Sequence, residues 1–77
     1  METISKIQFE MAMNTHLDGT GLLERFDEMR LQADEAGNLP DRILENTKTM
    51  LRAAMKSNQA PAEDKHKFER FLNFLES

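Results

Sequence analysis

The last ten residues of this chain hold three of its five phenylalanines, in the run Phe68-Glu-Arg-Phe71-Leu72-Asn-Phe74-Leu75. At 100° per residue these side chains spread over roughly 160° of a helix, wider than the apolar stripe of an ordinary surface helix. A segment this apolar has to dock, either into the chain's own core or onto another chain. That alternative separates a self-contained bundle from a binding module.

A chain of 77 residues is expected to form one small domain, 1–77, burying about 60% of the surface its unfolded form exposes. No cysteine is present, so neither a disulfide nor a thiolate metal site can staple it. Nothing approaches the roughly 18 apolar residues of a membrane span. Met1-Glu-Thr-Ile-Ser-Lys6 lacks the basic and then continuously apolar pattern of a secretory signal. The expectation is a soluble, cytoplasmic protein.

Charge is uneven along the chain. Residues 1–38 carry three basic and eight acidic side chains, residues 39–77 seven and six, for a net −4. Nucleic-acid binding draws most of its affinity from neutralising phosphates, which this balance supports poorly. Basic patches on partners suit it better.

The segment 3–14 reads two ways. As a strand, Ile7, Phe9, Met11 and Met13 line one face, opposite Gln8, Glu10, Ala12 and Asn14. As a helix, Ile4, Ile7 and Met11 align while Phe9 and Met13 point away. Met, Ala, Glu, Gln and Lys favour the helix, which Thr3 or Ser5 can cap, Gln8 completing a capping box from Ser5. A lone strand would need a second copy or a partner's sheet edge to pair with.

His16-Leu-Asp-Gly-Thr-Gly21 is a break, with Thr20 placed to cap a helix starting at Gly21. That helix spans residues 21–36, with Leu22, Phe26, Met29, Ala33 and Ala36 on a narrow stripe like a bundle or coiled-coil seam. Leu23 lies at the margin of that stripe and Leu31 opposite it. Gly37 is suited to a left-handed C′ position. Asn38 and Pro40 open a helix over 40–57, with Ile43, Leu44, Thr47, Met50, Leu51, Ala54 and Met55 across about 140°. Pro61 opens the last, over 61–76, with Glu63 and Asp64 in its first turn. The fold class is therefore mainly α: a small three-helix bundle preceded by an N-terminal helix or short strand. Short connections make successive helices antiparallel neighbours.

No chemistry-bearing motif stands out. Asp18-Gly-Thr-Gly21 has neither glycine-rich fingerprint spacing nor a P-loop lysine, and the positions after Asp18 do not match an EF-hand. His16 and His66 are the sole histidines, too few for a zinc site without other ligands, and read as exposed or capping residues. No serine or threonine has a nucleophile's context. Catalytic, cofactor-binding and metal residues are thus expected to be none. Arg42, Lys48, Arg52, Lys56, Lys65, Lys67 and Arg70 are interleaved with acids, as on solvated helix faces.

What remains is surplus apolar surface. Met11 and Met13 are flexible gap-fillers that also populate adaptable binding surfaces. Phe71 and Phe74 flank the terminal arc as surplus, with Phe9 and the methionines beside them. These five, Phe9, Met11, Met13, Phe71 and Phe74, are the candidate partner-binding residues. The expected function is a non-enzymatic protein-interaction module: a small regulator, inhibitor, adaptor or co-chaperone. The alternatives are a small DNA-binding transcriptional regulator and a structural homo-oligomer such as a homodimer.

Overall fold

The computed structural model describes residues 4–28 and 35–77, which form four helices: α1 (Lys6–Leu17), α2 (Gly21–Glu28), α3 (Asp41–Lys56) and α4 (Ala62–Glu76). The N-terminal element is a helix and the strand reading is excluded. Its start is fixed by the capping box: the Gln8 amide donates to Ser5 Oγ at 3.1 Å, and the Ser5 amide donates to Gln8 Oε1 at 3.3 Å. Two orphan amides are satisfied this way, which offsets part of the nucleation cost of a short helix.

The helix also runs further than expected, through His16 and Leu17, before a turn in which Gly19 takes φ +80°. Phe9, Met13 and Leu17, spaced by four, form its buried face. Ile7 and Met11 therefore turn outward. Thr20, expected as the cap of α2, uses its buried hydroxyl to donate to the Leu17 carbonyl at 2.8 Å, closing the end of α1.

In α2, Leu22 and Phe26 are buried as the stripe requires. Met29, Leu31 and Ala33 lie outside the described residues, and Ala36 sits in a turn rather than a helix. Gly37 adopts φ +83°, the left-handed conformation expected of it. Asn38, expected to cap α3, instead pairs with Ser5 in an isolated antiparallel bridge. Around that bridge the Lys6 amide donates to the Gly37 carbonyl at 3.0 Å, and the Leu39 amide to the Ile4 carbonyl at 2.7 Å. The bridge seats Ile4 and Leu39 in the core.

Helices α3 and α4 match their sequence patterns to within a residue at each end, both entered through a proline N-cap in an extended conformation. Leu44, Thr47 and Leu51 are the buried face of α3. Thr47 is fully buried, its hydroxyl donating to the Ile43 carbonyl at 2.8 Å. Glu45 and Lys48 form a surface pair at 3.5 Å.

The terminal helix explains the wide apolar arc. α4 packs against both α3 and α1, whereas α2 packs on α1. A helix with neighbours on two sides needs more than one stripe, and Phe68, Phe71, Leu72 and Leu75 are all buried. The expectation that successive helices are neighbours holds for α1–α2 and α3–α4. Between α2 and α3 the described residues leave a cleft of about 270 Å³, lined by Leu22, Arg25, Met50, Ala53 and Ala54. α1 and α4 run in opposite directions: Lys67, early in α4, donates to the Asp18 carbonyl beyond α1 at 2.8 Å, while Phe71, one turn later, meets Phe9 in the first half of α1. An ion pair between Arg52 and Glu76 joins α3 to the end of α4.

Candidate functional site

The seam between α1 and α4 is zipped by rings. Phe9 meets Phe71 at 5.7 Å between centroids and Phe26 edge-on at 6.4 Å. His16, half-buried near the end of α1, stacks on Phe71 at 5.7 Å and lies 5.8 Å from Phe74. Such ring pairs contribute about 0.5–1.5 kcal/mol each beyond area burial. The imidazole is thus a packing element of the seam, not the exposed or capping residue the sequence suggests. His66 is exposed.

Outside this zipper the surface opens into a groove of about 540 Å³, bounded by Ile4, Gln8, Met11, Ala12, Thr15, His16 and Phe74. Helical phase explains it. With Phe9, Met13 and Leu17 turned inward, Gln8, Met11, Ala12 and Thr15 project along the flank facing the last turns of α4. Two of the polar members are already engaged: Gln8 closes the capping box, and the Thr15 hydroxyl donates to the Met11 carbonyl at 2.9 Å; the third, His16, has its ring face stacked on Phe71. What the groove offers a visitor is therefore mainly apolar.

Beside it, Ile7 is 70% exposed and Met11 66%, separated by one helical turn. Single exposed apolar residues are ordinary, but two large ones stacked at i, i+4 along a groove form a continuous strip. The five candidate residues accordingly separate. Phe9 (0% exposed), Met13 (2%) and Phe71 (0%) belong to the core, so a partner can reach them only by opening the fold. Met11 and the half-buried Phe74 line the groove. Ala12 and His16 line it as well, and Ile7 stands beside it, outside the lining. The signal for Ile7 lies in the helical alignment of Ile4, Ile7 and Met11, which points away from Phe9 and Met13.

Among the described residues no group of three or more His, Asp or Glu side chains is placed to hold a metal, and no helix is long and apolar enough to cross a membrane. Comparison of the chain with protein-family models, curated proteins and solved structures finds no match.

Proposed function

We propose that this chain is a non-enzymatic protein-interaction module, a small regulator, inhibitor, adaptor or co-chaperone working in the cytoplasm, and that it engages its partner along the α1–α4 groove. The observation that carries the reading is the strip of Ile7 and Met11 on the outer face of α1, beside the groove that Phe74 walls. The inner face of α1 is already spent on Phe9, Met13 and Leu17. Removing the strip from water is thus a gain available only through association.

The test is a double variant, Ile7→Lys with Met11→Lys. Both positions are solvent-facing, so the thermal melt of the isolated protein should shift by no more than a few degrees. Proteins retained by the wild-type chain on a column and identified by mass spectrometry should be lost by the variant. An unchanged capture profile with an unchanged melt would remove the groove from consideration.

A further inference from the structure

Resting on that reading, we infer that the occupant of the groove is an amphipathic α-helix of another protein, about three turns long, with carboxylate side chains at the end that meets Arg70. Three features point to it. The first is shape. The groove lies between two packed helices; from Gln8 to His16 it follows a little over two turns of α1, about 12 Å, and Ile4, just ahead of the helix, extends it toward three. A third helix can lay its ridge into such a seam, presenting apolar residues at i, i+3/i+4 and i+7. An extended strand would gain little there. The backbone groups of the one β-bridge among the described residues are engaged between Ile4, Lys6, Gly37 and Leu39.

The second is size. Two exposed side chains and a half-buried phenyl ring make an apolar patch of a few hundred Å² at most, within the range that monomeric proteins carry. A standard interface needs about 800 Å² from each partner. The strip alone is too small for a stable dimer of this chain, whereas a single short helix bound from above matches it.

The third is charge. Arg70 is exposed and, four residues before Phe74 on α4, stands one turn beyond the groove's lining in the direction of the end of α1. Side chains at this spacing are neighbours, with Cβ atoms about 5–6 Å apart. Arg70, like Arg42, Lys56 and Lys65, makes no ion pair among the described residues, but of these it is the one within a helical turn of the groove residue Phe74. Lys67, three residues earlier, is held by the Asp18 carbonyl and adds positive charge at the same end. Lys6 and Glu10, at the opposite edge of α1, neutralise each other at 3.4 Å. With the exposed Asp18 carboxylate set against Arg70 and Lys67, the Arg70 end keeps a net positive charge although the chain as a whole is acidic, and a planar guanidinium is a fork for carboxylates. Helical polarity and acidic placement in the partner would together set its direction in the groove.

Two synthetic 14-residue helices test this by amide chemical-shift titration of the isotope-labelled chain. Both carry leucine at i, i+3, i+4 and i+7; one ends in three glutamates and the other in three lysines. The expected result is binding of the acidic peptide at least threefold tighter than the basic one, with the largest shifts at Ile7, Met11, Ala12, Thr15 and Phe74. The preference should shrink as salt is raised. Arg70→Glu should reverse it, and Met11→Lys should weaken both peptides at least tenfold. Equal binding of the two peptides, a preference indifferent to Arg70→Glu, or shifts centred elsewhere would overturn the inference. So would a Met11-dependent rise in sedimentation mass, which would assign the groove to a second copy. If the column experiment captures an Ile7/Met11-dependent partner but neither peptide binds, the interaction reading stands and this inference falls. If both fail, both fall.

Discussion

Replacing Phe71 with alanine separates what α4 does for the core from what it does at the surface. Phe71 is fully buried and touches three rings, those of Phe9, His16 and Phe74, with the last at 6.4 Å. Removing a buried phenyl costs about 3–5 kcal/mol, from lost transfer free energy and the cavity left behind. A domain of this size has a total stability of about 4–12 kcal/mol, at roughly 0.05–0.15 kcal/mol per residue. Phe71→Ala should therefore be largely unfolded at ambient temperature at the low end of that range, and folded but with a clearly lowered midpoint at the high end. Phe74 is half-buried, against Phe71 and His16. Its truncation loses part of a side chain's burial and two ring contacts, so Phe74→Ala should cost about 1–2 kcal/mol. The chain has no tryptophan or tyrosine, so urea unfolding is best followed by far-UV circular dichroism, with slopes of about 1 kcal/mol/M. The midpoint for Phe71→Ala should fall at least twice as far as for Phe74→Ala, with unchanged slopes. Equal losses, or a Phe71→Ala loss under about 1 kcal/mol, would refute the claim that the α1–α4 seam is built on Phe71.

Four single positions carry further expectations, each read from the same unfolding curves. Gly37→Ala forces a left-handed φ of +83° on a residue with a Cβ, although no atom lies within 4 Å of it, and should cost about 1–2 kcal/mol from strain alone. Gly21→Ala meets nothing within 4 Å and needs no positive φ, so it should stabilise by about 0.4–1 kcal/mol. Ser5→Ala removes the acceptor for the Gln8 amide and should cost about 1 kcal/mol. Thr47→Val deletes a buried hydroxyl whose acceptor, the Ile43 carbonyl, already lies within a helix; stability should stay within about 1 kcal/mol of wild type. A loss above about 2 kcal/mol there would mean that the hydroxyl supports more than its own turn.

Helices α3 and α4 are legible in the sequence because their signals agree. A proline opens each, charged residues occupy the outer face, and an apolar stripe recurs at helical spacing. The ambiguity of residues 3–14 has a physical origin. Ile7 and Met11 on the outer face offset Phe9 and Met13 on the inner, so the segment has no single apolar side, and its alternation mimics a strand. The two residues that hide the helix are the same two that make the exposed strip. Phe71 reads as surplus only when α4 is given a single partner helix. Periodicity reports how wide an apolar face is, and not that a helix far earlier in the chain will cover its second half. Nor can it show that Asn38 is taken by Ser5, since a single bridge leaves no periodic trace.

That bridge ties the two ends of one stretch of chain together. Everything from Lys6 to Gly37, including α1 and α2, is a loop closed at its base by the amides of Lys6 and Leu39. Neither hydrogen bond can open far without releasing the other. In hydrogen exchange the two amides, over thirty residues apart, should share one opening free energy and respond together to denaturant, as members of one cooperative unit. The amides in the middle of α3 belong to no such loop and should report a separate, costlier opening.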